Sequence, residues 1–368
     1  MLRRTCLLAF GFLAACAGPI PPLPPAATPT PAGITPITFP RDFAAHNALT
    51  EWWYVTGHLQ AEDGRRFGFE FTIFQLRREN SPTGVLAHFA VTDVDGRRFS
   101  HQARGVTGTP QEGFDFNVQG WRLSNNGWAD EIAAQMDAAP GAEQPYGLKL
   151  RLVDEKPPAL HHGGYITYGD EGSSYYYSRT RLAASGLLRD ASGATVTVSG
   201  LAWADHQWGD FVISGTGGWD WFSIQLDNNT ELMLYVLRDR AGAASVLFGS
   251  FIMPDGTVQD IGPGSARAES TGQWLSPHTG ATYPSGWLVE LPEQQLVLTV
   301  TPQLQDQELY FPGAVFAGPT YWEGAVDVHT SGAGSPTVWA TWSSRVTPRS
   351  NPQISSQCPR CCRRYRRH

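Results

Sequence analysis

The sequence of 368 residues predicts an all-β protein made of two antiparallel β-barrel-like domains. Three observations lead there. Apolar residues recur at every second position through most of the chain, the period of a strand with a buried face. Turn sequences punctuate those runs roughly every 8–12 residues, the spacing of sandwiches and barrels. Thirty-nine glycines and 12% aromatic residues, against 17% charged, suit many tight turns around an aromatic core.

The first 16 residues read as an export signal. Arg3 and Arg4 precede an apolar run from Leu7 to Ala15 that is too short to span a bilayer. Leu13-Ala14-Ala15-Cys16 matches the bacterial lipobox. Cys16 is therefore expected to carry lipid and anchor the protein in the cell envelope, facing the periplasm. Ala17 beside it favours the outer membrane. The alternative is an ordinary signal peptide with an incidental cysteine. Residues 17–39 are rich in Pro, Ala and Thr and predict an extended tether that cannot bury a core.

The folded region opens on Glu51–Gln60, turns at Glu62-Asp63-Gly64, and continues through Phe67–Leu76. There Phe67, Phe69, Phe71 and Ile73 share one parity while Glu70 and Thr72 share the other, predicting a hairpin with one face buried. His88–Asp93, Gly113–Val118, Trp121–Leu123 and Tyr146–Val153 repeat the strand pattern. Ala129–Ala138 is the one stretch that suits a helix, and it suits a strand as well. Pro157–Gly172, with its prolines, glycines and His161-His162, predicts a long crossing loop. Ser174–Leu182 and Thr195–Ala202 read as strands.

Beyond them, Phe222–Leu226 and Glu231–Leu237 form a hairpin around Asp227-Asn228-Asn229. Ser245–Met253, Thr257–Ile261, Trp287–Leu291, Leu296–Val300 and Tyr321–Val328 follow. The expected division is 40–203 for the first domain and 204–345 for the second.

No cysteine lies between Cys16 and Cys358, so the core is built without disulfides. A net charge of −7, with no basic stripe before the tail, argues against a nucleic-acid partner.

Three aromatic-acid clusters carry the chemistry: Glu51-Trp52-Trp53-Tyr54, Trp203-Ala204-Asp205-His206-Gln207-Trp208, and Trp219-Asp220-Trp221. Asp205, His206, Trp208 and Asp220 together would make a proton-transfer site. A carboxylate tunes an imidazole, and indole faces tolerate a cation. Equally, Trp203 and Trp208 could be core, with Asp205 and His206 capping a turn. Alternation puts Glu51 and Trp53 on one face and Trp52 and Tyr54 on the other. His161 and His162 point apart on an extended chain and lack a third ligand at a supportive spacing, so no metal is expected. Phosphate-cradling and hydrolase nucleophile motifs are absent.

Six stretches, in order, resemble the family of lipocalin-like proteins that includes the carotenoid 1,2-hydratases (hydroxyneurosporene synthases) and the AttH-like secreted proteins. They are Glu51–Leu59, His88–Asp93, Ser174–Leu182, Gly200–Gly209, Gly218–Ser223 with Leu232–Tyr235, and Tyr321–Gly324. The resemblance spans about residues 40–328. It implies two lipocalin-like barrels, a pocket for an elongated hydrophobic molecule, isoprenoid or lipid-like, and no cofactor. It also implies hydration of a terminal alkene, with Asp220 or Asp205 as acid, His206 as water-activating base and Trp208 as a wall for the cation. Glu51, Trp53, Tyr54, Tyr176, Trp203, Trp219 and Trp221 would contact the ligand. A non-catalytic carrier and a lipid-ester hydrolase are the alternatives.

The family closes its second barrel with a strand like Gly-Tyr-x-Glu-Leu-Thr-Gly-Tyr. This chain has Val338-Trp-Ala-Thr-Trp-Ser-Ser-Arg-Val-Thr-Pro348 instead. Permitted codons for that run, read in a shifted frame, spell Gly-Tyr-Val-Glu-Leu-Thr-Gly-Tyr-Ala. A frameshift between about Val328 and Val338 is therefore expected, with 346–368, including Cys358, Cys361 and Cys362, as an aberrant tail. The second barrel is then expected to lack its closing strand.

Overall fold

The computed structural model describes residues 33–108, 112–126, 129–138, 144–168, 172–211, 217–239, 244–312, 318–331 and 337–346. Cys16, the tether up to residue 32 and the tail beyond 346 lie outside the described residues.

In the first sheet, β1 (Thr50–Ala61), β2 (Arg66–Leu76), β3 (Thr83–Asp93) and β4 (Arg98–Gly108) form one meander. A second contains β5 (Asp115–Val118), β6 (Trp121–Asn125), β7 (Asp130–Gln135) and β8 (Gly147–Asp154). After β9 (Ala159–Thr167) come two long strands, β10 (Gly172–Arg189) and β11 (Thr195–Phe211). β11 lies between β1 and β10 and joins the meanders in the order β4-β3-β2-β1-β11-β10-β8-β7-β6-β5, with β9 paired to β10. All pairings are antiparallel.

The second sheet begins with β12 (Gly218–Leu226), β13 (Glu231–Arg238), β14 (Ala244–Ile252), β15 (Val258–Ile261) and β16 (Arg267–Ser270). A separate small hairpin of β17 (Gln273–Leu275) and β18 (Thr282–Pro284) follows. The sheet resumes with β19 (Trp287–Leu291), β20 (Leu296–Pro302), β21 (Glu308–Leu309), β22 (Tyr321–Ser331) and β23 (Thr337–Val346). Its order is β15-β14-β13-β12-β23-β22-β20-β19-β16. Both sheets are barrel-like, each wrapped around its own apolar core. The first sheet runs through the expected division at 203/204 and ends at Phe211; the second starts at Gly218.

Of the two readings of 129–138 the strand holds, over 130–135 as β7, because Ile132 and Ala134 face the core while Glu131 and Gln135 face out. Two expectations change. Much of the expected loop at 157–172 is strand β9, which follows β10 through a register shift. Gly163 and Gly164, both at positive φ, give the backbone the bend that shift needs. Finally, β23 closes the second sheet, pairing with β12 and β22 and burying Trp342 completely. The expected gap there is absent because Ala340, Trp342 and Ser344 alternate inward as a strand requires.

The barrels pack β1 and β2 of the first against β22 and β23 of the second. Thr56 Oγ1 meets Thr341 Oγ1 at 3.1 Å, and His58 Nε2 meets the Ala340 carbonyl at 2.5 Å. Glu70 and Thr72, predicted to face outward, are therefore as buried as the phenylalanines between them. In β1 and β11 both faces of the strand are interior, one toward the first core and one toward the second barrel.

Candidate functional site

Register decides which side chains meet. β1 and β11 pair so that Trp53 lies opposite His206, Tyr54 opposite Asp205 and Glu51 opposite Trp208. Successive side chains on a strand alternate faces. Asp205 and His206 thus belong to two different clusters, one on each side of the sheet.

On the inter-barrel side lies a cavity of about 570 Å³, within the range of small-molecule sites. Trp52, Tyr54, Phe74, Tyr176 and Phe211 line it from the first barrel, and Trp219, Trp221, Tyr235 and Phe248 from the second. The charged groups along it are two carboxyls, Asp205 and Glu323, and two guanidiniums, Arg78 and Arg345.

The surroundings of the two carboxyls differ. Asp205 accepts from Tyr176 Oη (2.7 Å), Trp203 Nε1 (2.6 Å) and Ser178 Oγ. Burial pushes its pKa up to about 6 against these three donors, which leaves a carboxylate at neutral pH. Behind it, Ser178 Oγ contacts His161 Nε2 at 2.7 Å, and His161 Nδ1 contacts Ser250 Oγ at 2.9 Å. Ser250 in turn donates to Asp260 at 3.3 Å. This hydrogen-bonded row crosses from one barrel to the other.

Glu323 accepts from Tyr54 Oη at 2.7 Å, with the Ser343 hydroxyl as a weaker donor. Its Oε2 makes no hydrogen bond of good geometry among the described residues. Burial, then the nearby charge of Glu70, with Asp205 also contributing, hold Glu323 well above the usual carboxylate range. Those surroundings favour its protonated form. Glu70, just behind, is pushed to about 8 by burial.

The opposite face of β1 and β11 carries the other cluster. His206 Nε2 lies 2.9 Å from Glu51 Oε1, and Nδ1 lies 3.0 Å from the Asp42 carbonyl. Trp53 stacks on His206 at 4.6 Å, and Trp208 stacks on His46 at 3.9 Å. Burial holds His206 below its ordinary pKa despite Glu51. Burial pushes Glu51 up, but the adjoining His206 and His46 rings and the His46 amide outweigh it and the carboxyl ends below its usual value.

The structure therefore separates the expected constellation. Asp205, Tyr54, Tyr176, Trp219 and Trp221 line the cavity, and Trp203 stands behind Asp205 as a donor. His206, Trp208, Glu51 and Trp53 face the other way, so His206 cannot serve as base beside Asp205 in this cavity. Asp220 alternates with the cavity-facing Trp219 and Trp221 and points into the second barrel. There it pairs with Arg238 and accepts from Ser344 Oγ at 2.6 Å, so it is not free to act on the same ligand. His161 and His162 also part: His161 is bound between two serines, and His162 Nδ1 sits 3.9 Å from Asp260.

A family model described as AttH-like matches residues 30–338. The chain belongs to the AttH-like family. A Nitrosomonas europaea protein assigned as AttH is 27% identical, with a TM-score of 0.73 over 86% of this chain and 98% of that one. Kievitone hydratase from Nectria haematococca shares the fold at 13% identity, with a TM-score of 0.64 over 82% of this chain and 90% of that one. No curated protein matches the sequence. The two barrels of the AttH-like chain are lipocalin-like, and the family match stops at residue 338, early in β23.

Sequence reading passed over Glu323 and Glu70 as sites, and with them Asp42, His46 and Ser178. Glu323 lay within a quoted stretch, Tyr321–Gly324, between apolar neighbours. A lone acid in a strand otherwise fit for burial was the available signal.

Proposed function

We propose that this protein binds an elongated hydrophobic molecule, isoprenoid or lipid-like, in the inter-barrel cavity and hydrates an alkene of that molecule without a cofactor. The observation that carries the reading is the contrast between two carboxyls facing one aromatic cavity. Glu323 accepts one well-formed bond, from Tyr54, with Ser343 as a weaker second donor, whereas Asp205 has three well-formed donors. Environments that push two carboxyls apart in this way divide them into acid and base. Glu323 protonates the alkene carbon, and the faces of Trp52, Trp219 and Trp221 stabilise the cation. Water adds its oxygen to the cation and gives its proton to Asp205. Solvent returns that proton to Glu323. The role first assigned to His206 passes to Asp205. The fold shared with a protein named as a hydratase supports the reaction class.

The purified protein incubated with a lycopene-like polyene is expected to yield a product heavier by one water. Glu323→Gln should lower that rate by about 10²–10⁴-fold while leaving ligand quenching of tryptophan fluorescence intact. Turnover unchanged in Glu323→Gln would refute the assignment. Binding without any mass gain in the wild type would leave the carrier reading, which the predominantly apolar lining favours. A serine-directed probe should label nothing, since Ser178 is buried and donates to Asp205.

We also infer that the protein is held in the cell envelope by lipid on Cys16, on the strength of Leu13-Ala14-Ala15-Cys16. Labelled palmitate should enter the wild-type protein in a bacterial host and not Cys16→Ser. Equal labelling would refute the anchor.

A further inference from the structure

The cluster on the far face of β1 and β11 is fully assembled yet has no part in the cavity. Glu51 is on β1, His206 is on β11, and His46 is in the segment just before β1. Glu51 and His206 are buried, while the His46 side chain is 21% exposed and opens the cluster to solvent.

Hydrogen-bond accounting leaves a hole in it. His206 Nδ1 faces the Asp42 carbonyl at 3.0 Å and Tyr177 Oη at 3.1 Å. Tyr177 commits its own proton to the same carbonyl at 3.1 Å. With that proton on the carbonyl both neighbours accept and Nδ1 carries the hydrogen, the tautomer a metal at Nε2 selects over the one in which Tyr177 Oη donates to Nδ1. The neutral ring then turns the Nε2 lone pair toward Glu51 Oε1, 2.9 Å away. His46 repeats the arrangement. Its Nε2 lies 3.1 Å from Asp42 Oδ1, on a carboxylate already held by Arg41 Nε (2.7 Å) and Arg41 Nη2 (2.6 Å) and by the Thr38 amide (2.6 Å). Nε2 is therefore the donor, and Nδ1 turns its lone pair to Glu51 Oε1 at 2.8 Å. In these tautomers two lone pairs and a carboxylate oxygen converge with no hydrogen between them. The backbone amide of His46 is the remaining donor to Glu51, at 2.9 and 3.1 Å.

Such a convergence needs a positive centre. Metal-ligating histidines donate the outer ring N–H to a carboxylate or a backbone carbonyl, which fixes the tautomer. Asp42 performs both tasks here, through its side chain for His46 and its carbonyl for His206. The three inner atoms lie within 4.8 Å of one another. Two imidazoles and one carboxylate, with a solvent-facing position left open, suit first-row divalent metals.

We propose that His46 Nδ1, Glu51 Oε1 and His206 Nε2 bind a divalent first-row transition-metal cation. The stacking of Trp208 on His46, at an interplanar angle of 2°, and of Trp53 on His206 holds both rings in place. The cation pins the segment before β1 onto β1 and β11 on the face away from the cavity. This site is independent of the hydration chemistry.

The test uses the full chain stripped with a chelator and titrated with Zn²⁺ by calorimetry and with Co²⁺ by visible absorption. One equivalent should bind, with a rise in melting temperature. His46→Ala, at a partly exposed position outside the barrels, should weaken binding at least tenfold and abolish the Co²⁺ bands, with the fold intact by circular dichroism. Glu51→Gln should do the same. If the stripped wild type takes up no metal, two extra protons occupy the cluster and the proposal is wrong. Unchanged binding in a folded His46→Ala protein would equally overturn it.

Discussion

The cavity exists only while the two barrels stay in register, and a buried ion cluster holds them. Lys156, between β8 and β9, places Nζ 2.7 Å from Glu231 Oε2 on β13, and Arg181 on β10 places Nε 2.6 Å from Glu231 Oε1. All three side chains are at most 9% exposed. Lys156 also donates to the carbonyls of Asn229 (2.5 Å) and Met253 (3.0 Å), and Arg181 to that of Leu226 (2.7 Å). Glu231→Gln keeps the volume but leaves two cations buried without a counter-charge. Removing one partner of a buried pair costs roughly 3–5 kcal/mol. The carbonyl acceptors remain, so about 3 kcal/mol is expected, a large part of a typical folding stability of about 5–15 kcal/mol. Urea unfolding followed by tryptophan fluorescence measures it, and apolar ligand affinity should fall in parallel as the barrels loosen. Replacing the whole cluster by Met and Leu should cost far less, because the desolvation penalty goes with the charges. A Glu231→Gln protein within about 0.5 kcal/mol of wild type, the range of ordinary surface changes, would refute this reasoning.

Glu70→Gln should stabilise the protein at alkaline pH. The folded carboxyl titrates near 8, against an ordinary value of 4.5. The folded chain therefore keeps a proton that the unfolded chain has lost, and stability falls as pH rises from about 4.5 through 8. Glutamine removes that penalty, worth up to about 5 kcal/mol above pH 8 and vanishing near pH 4.5. Parallel melting curves for the two proteins across that window would reject it. Gly200→Ala should unfold the first barrel, since an added Cβ would stand 1.9 Å from the His58 carbonyl oxygen across β1 and β11. Overpacking of a core alone costs roughly 1–3 kcal/mol, and backbone here leaves nothing to yield. An unchanged circular dichroism melt would show that the two strands are farther apart.

Much of the fold was legible because strands announce themselves by alternation. Phe67, Phe69, Phe71 and Ile73 read as one buried face and are one. The Glu231–Leu237 hairpin and the strand at Tyr321 also appear where their patterns place them. β9 was missed because His161-His162-Gly163-Gly164 looks like loop chemistry, whereas its strand identity comes from pairing with β10. The outer face of β2 was misread because Glu70 and Thr72 look solvent-directed until a second barrel covers them. Tyr54, Tyr176, Trp219 and Trp221, which the family resemblance placed at the ligand, line the cavity.

By itself the sequence determined that this is a two-barrel β protein of the AttH-like type, and it singled out the strands that carry its acids and indoles. It could not say which acid meets which ring. Asp205 and His206 are neighbours in the chain, so they look like partners. A strand sends adjacent side chains to opposite faces, and in β11 both faces are interior. Only the packing of the second barrel showed that Asp205 belongs with Glu323, 118 positions along the chain, and that His206 belongs with Glu51 and His46. Contacts between segments far apart in sequence arise from sheet order and barrel docking, and local pattern carries no record of either.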